Sequence, residues 1–159
     1  MILKNILDED FVNYKKPSMY IAFPYCTFKC EKDCGIQCCQ NSPLARSKNI
    51  DVDCDELIKR YLANPITKAI VFCGLEPFDS FPDMLTLIDK LRKVYMCNDD
   101  IVVYTGFYKE ELKEKLEVLK TYPNIIIKYG RFIPNQPKHF DEVLGVNLAS
   151  DNQFAERLS

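Results

Sequence analysis

The 159-residue sequence lacks several features that mark common classes of function. No apolar run reaches the ~18 residues of a membrane-spanning helix, and residues 1–10, which contain three acids, lack the apolar region of a signal peptide. The formal net charge of −2 gives no reason to expect nucleic acid or an anionic membrane as a partner. We find no phosphate-binding glycine loop, nucleophile–base pair or basic aromatic patch. The sequence therefore predicts a cytoplasmic protein that binds neither membrane nor nucleic acid.

Apolar runs typical of strands alternate with amphipathic segments typical of helices. We predict strands at 18–24, 68–72, 101–104, 125–128 and 143–148, and helices at 53–64, 80–95 and 109–122. Such alternation predicts βαβ units and a parallel sheet. The length and the 47% hydrophobic content fit one α/β domain over residues 1–159, with a core at about 18–148 and a polar, loosely held C-terminal tail.

Histidine and glycine are scarce. His139, the only histidine, lies in a polar stretch, and we expect it at the surface. Three of the five glycines, Gly74, Gly106 and Gly130, stand at or just past the ends of predicted strands, and Gly145 lies within the last one. Ligands of parallel α/β proteins bind at the C-terminal ends of strands, where glycine lets the backbone approach closely. These glycines therefore predict the edge of the sheet that binds a ligand.

Cysteine, by contrast, is abundant, with five of the eight residues (Cys26, Cys30, Cys34, Cys38 and Cys39) inside a stretch of fourteen. Clustered thiols without a secretion signal are more often metal ligands than disulfides. Thiolate sulfur suits an iron–sulfur cluster, and four such cysteines also suit a closed zinc site. Spacing alone leaves both interpretations open, together with incidental thiols. Gly35 and the charged residues between the cysteines favour a loop over a helix.

Three motifs carry a resemblance to a known family: residues 23–30 (FPYCTFKC), 39–41 (CQN) and 74–77 (GLEP). They are similar to the cysteine motif and the glycine-glycine-glutamate-proline motif of radical S-adenosylmethionine (SAM) enzymes. Residues 104–107 (YTGF) and 130–133 (GRFI) further resemble segments of the activating proteins of anaerobic (class III) ribonucleotide reductase. The resemblance to these glycyl-radical activases extends over residues 18–153.

This resemblance implies a 4Fe-4S cluster held by three cysteines, with one iron left for SAM. Cys26 and Cys30 match the first two ligands of the family. Cys39 is favoured as the third because Gln40 and Asn41 follow it, which makes residues 31–38 an insertion. Cys34 is the alternative third ligand.

The resemblance also assigns residues to SAM and implies a reaction. Glu76 would accept a hydrogen bond from the SAM ammonium, Gly74 would let the backbone lie close to it, and Thr105 and Gly106 would contact the ligand. The cluster would pass one electron to SAM and release methionine and a 5′-deoxyadenosyl radical. The chain would then be a radical SAM oxidoreductase whose chemistry belongs to the cluster and SAM.

The expected fold is a minimal open partial (β/α) barrel of the radical SAM type. The expected partners are a large glycyl-radical protein, the anaerobic ribonucleotide reductase, and an electron donor such as flavodoxin or ferredoxin. Three alternatives stay open: a radical SAM enzyme acting on a small molecule or peptide, a non-catalytic zinc-binding module, and an iron–sulfur electron carrier with four cysteine ligands.

Overall fold

The computed structural model describes all residues from Met1 to Ser159 and contains ten strands and five α-helices. The strands are β1 (Ile2–Leu3), β2 (Asn5–Asp10), β3 (Ser18–Phe23), β4 (Ile50–Asp51), β5 (Ala69–Gly74), β6 (Asp100–Tyr104), β7 (Ile125–Tyr129), β8 (His139–Asp141), β9 (Val146–Leu148) and β10 (Phe154–Arg157). The helices are α1 (Lys29–Cys34), α2 (Ser42–Arg46), α3 (Cys54–Ala63), α4 (Phe81–Asp89) and α5 (Lys113–Leu119). None of them has the length and apolar character that crossing a membrane requires.

Six strands form the central sheet in the order β10-β7-β6-β5-β3-β2. The four inner strands, β3, β5, β6 and β7, are parallel, and helices connect each one to the next. At the two edges, β2 and β10 run antiparallel to their neighbours. The sheet is therefore mixed, so the prediction of a parallel sheet is correct only for its inner strands. The strand predicted at 18–24 is also not the first, because β1 and β2 precede it.

Each face of the sheet packs against a separate hydrophobic core. Neighbouring residues of β5 point to opposite faces, so that Phe72 belongs to one core and Val71 to the other. The larger core has 23 buried residues and includes the apolar faces of α3, α4 and α5. The smaller core has 8 buried residues, among them Tyr14 and Leu144. The three long helices thus cover one face, while residues 11–17 and the β8–β9 hairpin cover the other.

The C-terminal part of the chain differs from the prediction. Only Val146–Leu148 of the strand predicted at 143–148 is extended, and it pairs with β8 outside the central sheet. Gly145 lies before this strand, in a turn with φ 72°. The tail that we expected to be loosely held contains β10, which pairs with β7 along four residues. Backbone pairing at the sheet edge fixes this polar segment, although it has little apolar surface of its own.

The helix predicted at 109–122 is interrupted. Residues Lys109–Glu111 form a 3₁₀ turn, Leu112 departs from helical geometry (φ −115°, ψ 5°), and α5 begins one residue later. The Glu111 side chain turns back and accepts a hydrogen bond from the Tyr108 backbone N–H at 2.8 Å. The interruption thus places the Glu111 carboxylate near the end of β6 rather than on an outer helix face.

Candidate functional site

A cavity of about 410 Å³ opens at the C-terminal ends of the parallel strands. Its walls come from the segments that follow β3, β5, β6 and β7 and from the β8–β9 hairpin. The lining residues include four cysteines (Cys26, Cys30, Cys39 and Cys73), three glycines (Gly74, Gly106 and Gly130) and the polar residues Glu76, Thr105 and Lys128. The three strand-end glycines therefore share one edge of the sheet, as predicted.

Cys26, Cys30 and Cys39 contribute their thiols to the cavity wall. Cys26 lies before α1, and its Sγ accepts a hydrogen bond from the Phe28 backbone N–H at 3.2 Å. Burial raises the pKa of Cys26 to about 12 and also raises the pKa of Cys30, and the charge of Cys39 adds to both shifts. All three thiols line the same cavity. Metal ions bind the deprotonated thiolates, so iron would release the protons that burial holds on these sulfurs.

Cys34 and Cys38 do not line this cavity. Cys34 ends α1, and its Sγ lies 2.9 Å from the Sγ of Cys38. The prediction of a loop is wrong for the residues of α1, because Gly35 ends this helix in a left-handed conformation (φ 69°) instead of preventing it. The structure thus divides the five clustered cysteines into three at the cavity and one separate pair.

Two polar side chains hold the third cavity cysteine in place. The Asn41 side-chain amide donates a hydrogen bond to the Gly74 carbonyl at 2.6 Å, which ties the cysteine segment to the end of β5. Glu31 Oε1 accepts a hydrogen bond from the Cys39 backbone N–H at 3.2 Å. Sequence reasoning assigned no role to either residue, although Asn41 belongs to the cysteine-glutamine-asparagine motif.

Glu76 is a buried carboxylate at the floor of the cavity, with 4% of its surface exposed. Oε1 accepts hydrogen bonds from the Thr105 hydroxyl (2.8 Å) and the Phe78 backbone N–H (3.1 Å), and Oε2 accepts one from the Gly106 N–H (2.8 Å). Burial raises the pKa of Glu76 to about 7, and these three hydrogen bonds only partly oppose the rise. None of the chain's ion pairs involves Glu76. The site therefore contains an oriented carboxylate without a cationic partner.

Gly106 lies between this carboxylate and the cysteines. A Cβ atom at this position would stand 3.4 Å from Cys30 Sγ and 3.6 Å from Glu76 Oε2. The thiol and the carboxylate therefore flank the same point of the backbone. A side chain here would occupy the space that a ligand needs to reach both groups.

Lys128 is a third cavity residue that sequence reasoning missed. It belongs to β7, is 7% exposed, and donates a hydrogen bond to the Gly130 carbonyl at 3.1 Å. Burial lowers the pKa of Lys128 to about 8, while the charges of Cys73, Glu76 and Cys30 oppose that shift. A charged residue closing an otherwise apolar, fully buried strand is the sequence signal that could have identified it.

An ion-pair network anchors α1 against the ends of β6 and β7. The Arg131 guanidinium donates two hydrogen bonds to the Glu111 carboxylate (2.7 and 2.8 Å), and its Nε lies 2.6 Å from Asp33 Oδ2. Lys29 of α1 also contacts Glu111 at 3.0 Å. Hydrogen bonds from Arg131 are the main cause that lowers the pKa of Glu111 to about 2. Arg131 therefore has two carboxylate partners within the chain.

We expect Glu111→Gln to lower the free energy of unfolding by about 1–2 kcal/mol at pH 7, since a bidentate, half-buried pair is lost. The pKa of this carboxyl is lower in the folded chain than its ordinary 4.5. The ionised Glu111 carboxylate therefore contributes fully to the free energy of unfolding above pH 4.5, and this contribution disappears as the pH falls towards 2. Urea unfolding across this range should show the variant and the parent converging. Glu110→Gln, an exposed neighbour, should leave stability unchanged, and an equal loss in both variants would contradict the role of the ion pair.

A comparison of the sequence with known protein families also indicates an iron–sulfur protein. A family model described as a 4Fe-4S single cluster domain matches residues 18–153. The chain belongs to this 4Fe-4S single cluster domain family. The family supports an iron–sulfur cluster as the metal group of this chain. Searches of curated proteins and of solved structures found no match.

The donor set fits such a cluster. Three thiols of the cysteine segment line one cavity, and iron–sulfur clusters are held by cysteine thiolates. No group of three or more Cys, His, Asp or Glu side chains is arranged around a single metal ion. A cubane cluster does not require that arrangement, because each thiolate binds a different iron. Cys26, Cys30 and Cys39 are thus the residues of this cavity that could hold the cluster.

Proposed function

We propose that this chain is a radical SAM enzyme, in which Cys26, Cys30 and Cys39 bind a 4Fe-4S cluster and Glu76 binds the amino acid end of SAM. The observation that carries this proposal is that three of the five clustered cysteines, rather than four, line the cavity. The other cysteine of the cavity wall, Cys73, lies within β5 and belongs to the smaller core. Three thiolates leave one of four irons without a protein ligand. When bound, the reduced cluster and SAM supply a one-electron cleavage that yields methionine and a 5′-deoxyadenosyl radical.

Glu76 has the properties of a residue that receives an ammonium group. A carboxylate offers about four lone-pair positions, and three of them accept hydrogen bonds within the chain. The fourth position is free for a charged donor, and a nearby cation would favour the ionised carboxylate that burial disfavours. Thr105 and Gly106 support this role by orienting Glu76.

Lys128 supplies the opposite charge in the same cavity. Its ammonium group has three donors and one hydrogen bond within the chain, and no carboxylate forms an ion pair with it. A buried carboxylate and a buried ammonium, both without an ion-pair partner, make this part of the cavity complementary to a zwitterion. We propose that Lys128 faces the carboxylate of the SAM methionine, which would compensate the desolvation of both groups.

The fold supports a partial barrel as the framework of this chemistry. Four consecutive parallel strands lie in sequence order, the long helices cover one face, and the cavity lies at the C-terminal strand ends. With fewer than eight such strands the barrel would remain open at one side, which suits a large substrate. By the family resemblance, we propose that this substrate is a glycine of an anaerobic ribonucleotide reductase and that a flavodoxin or ferredoxin is the electron donor.

Anaerobic purification followed by iron and sulfide analysis tests the cluster, and addition of a reductant and SAM tests the cleavage. We expect four irons per chain and release of 5′-deoxyadenosine. A colourless protein with one zinc and no sulfide would establish the zinc module instead. A loaded cluster that does not react with SAM, even with the reductase present, would indicate an electron carrier. Cleavage without a glycyl radical on the reductase would favour a small molecule or peptide as substrate.

Glu76→Gln should keep the iron and sulfide content but weaken SAM binding by roughly 10- to 100-fold, because one charge-assisted hydrogen bond becomes neutral. The affinity for SAM and the rate of 5′-deoxyadenosine release measure this effect. Glu117→Gln, on the exposed face of α5, is the matched control and should behave like the parent. Unchanged SAM affinity in Glu76→Gln would argue against an ammonium contact at this carboxylate.

A further inference from the structure

Cys34 and Cys38 face each other outside the cavity. Their Sγ atoms lie 2.9 Å apart, and both side chains are half-buried. The left-handed conformation of Gly35 reverses the chain after α1, and this turn brings the two thiols together. The Cys34 thiol also lies 3.4 Å from the Ile36 carbonyl, within the same turn. Local backbone geometry thus places this pair, independently of the cavity.

We propose that Cys34 and Cys38 form a redox modification site, which a low-molecular-weight disulfide converts into an intramolecular disulfide while Cys26, Cys30 and Cys39 hold the cluster. The assignment of these three cluster ligands rests on the proposed function. An S–S bond of ~2.05 Å requires the two Sγ atoms to approach by less than about 1 Å. Only the turn between them needs to adjust.

The reaction is an ordinary thiol–disulfide exchange. The thiolate of one cysteine attacks a sulfur of the oxidant, which forms a mixed disulfide and releases one thiol. The second cysteine then attacks the protein sulfur of the mixed disulfide and releases the other thiol. The pair loses two electrons and two protons, and the oxidant takes up both as it becomes two thiols.

The modification has a direct consequence for the cluster. Cys38 is adjacent to Cys39 in sequence, so a reduced pair offers a thiolate that can compete for the open iron. A cluster with four thiolate ligands has no position left for another ligand. The disulfide removes both spare thiols from this competition, and only the three cavity cysteines of the segment remain able to bind iron.

The test uses the cluster-loaded 159-residue chain. It is incubated anaerobically with glutathione disulfide, quenched in acid, and then denatured and alkylated. The tryptic peptide 33–46 carries Cys34, Cys38 and Cys39. We expect it to take up one alkyl group, on Cys39, instead of three, with the iron content unchanged. Dithiothreitol should restore the alkylation of the other two positions. Fragmentation between residues 38 and 39 identifies the cysteine that carries the alkyl group.

Single-residue variants decide the pairing. Cys34→Ser and Cys38→Ser should each lose the internal disulfide and keep the iron, while Cys54→Ser in α3 should retain both. Full alkylation after the oxidant treatment, a disulfide that includes Cys39, or loss of iron in Cys34→Ser would each overturn the proposal. None of these measurements depends on SAM. A chain that forms the disulfide, keeps its iron and does not cleave SAM would refute the proposed function alone.

Discussion

Cys39→Ala is expected to lose the iron–sulfur cluster, whereas Cys34→Ala is expected to keep it. Cys39 lines the cavity, and its charge adds to the rise in the pKa of Cys26 and of Cys30. Cys34 lies outside the cavity and contacts the Cys38 thiol and nearby backbone carbonyls. Removing one of three thiolates exposes a second iron to solvent and leaves the cluster with two protein ligands. We therefore expect iron and sulfide near zero in Cys39→Ala, and no 5′-deoxyadenosine.

The measurement is the iron and sulfide content after anaerobic reconstitution, together with the visible absorption of the cluster. Cys38→Ala is the matched control, since it lies in the same insertion and directly precedes Cys39. The opposite pattern, with the cluster retained in Cys39→Ala and lost in Cys34→Ala, would assign the third ligand to Cys34. The alignment of the third motif with residues 39–41 would then be wrong.

Gly74→Ala is expected to destabilise the chain by about 4 kcal/mol or more, which leaves little folded protein. Gly74 has φ 92°, and a Cβ atom there would stand 2.6 Å from Ala22 Cα and 2.7 Å from Phe23 N. These atoms belong to the backbone of β3, which pairs with β5 in this register. The strand cannot retreat without breaking its ladder, so relaxation offers little relief.

Gly35→Ala provides the matched control for backbone strain. Gly35 also has positive φ (69°), but nothing lies within 4 Å of the position that its Cβ would take. We expect the free energy of unfolding to fall by about 1–2 kcal/mol, which is the cost of the left-handed conformation alone. Urea unfolding and the yield of folded protein compare the two variants. Equal losses would show that strain, rather than the contact with β3, determines the effect at Gly74.

The inner strands could be predicted closely because their sequences are continuous apolar runs. Residues 69–74 and 125–129 are buried along their whole length, and each run ends at or next to a glycine. The edge strands could not be predicted, because Asn5–Asp10 and Phe154–Arg157 carry polar and charged side chains. Their extended conformation depends on the backbone of a neighbouring strand, and a sequence pattern does not record that dependence.

The sequence predicts those residues of the candidate site that suit ligand binding and also lie at or just past the end of a predicted strand. Gly74 is the last residue of β5, Glu76 follows it in the same motif, and Gly106 follows the end of β6. Lys128 was missed because a lysine at the end of a strand usually extends its charge into solvent. Its burial depends on the cover over the non-helical face, which is distant in sequence. Spacing also could not separate Cys34 from Cys39, since it does not record that Cys34 contacts Cys38 outside the cavity.

The cover of the non-helical face consists of short, irregular segments. Residues 11–17 and the β8–β9 hairpin are joined by the hydrogen bond from Lys15 N–H to the Leu144 carbonyl, and the Tyr104 hydroxyl donates to the Asn13 carbonyl. These segments line the mouth of the cavity but contribute few residues to the larger core. Insertions or exchanges in them can therefore alter which molecules enter without disturbing the strands that carry the cysteines and Glu76. The segments at the mouth of the cavity can thus change in evolution independently of the strands that form the site.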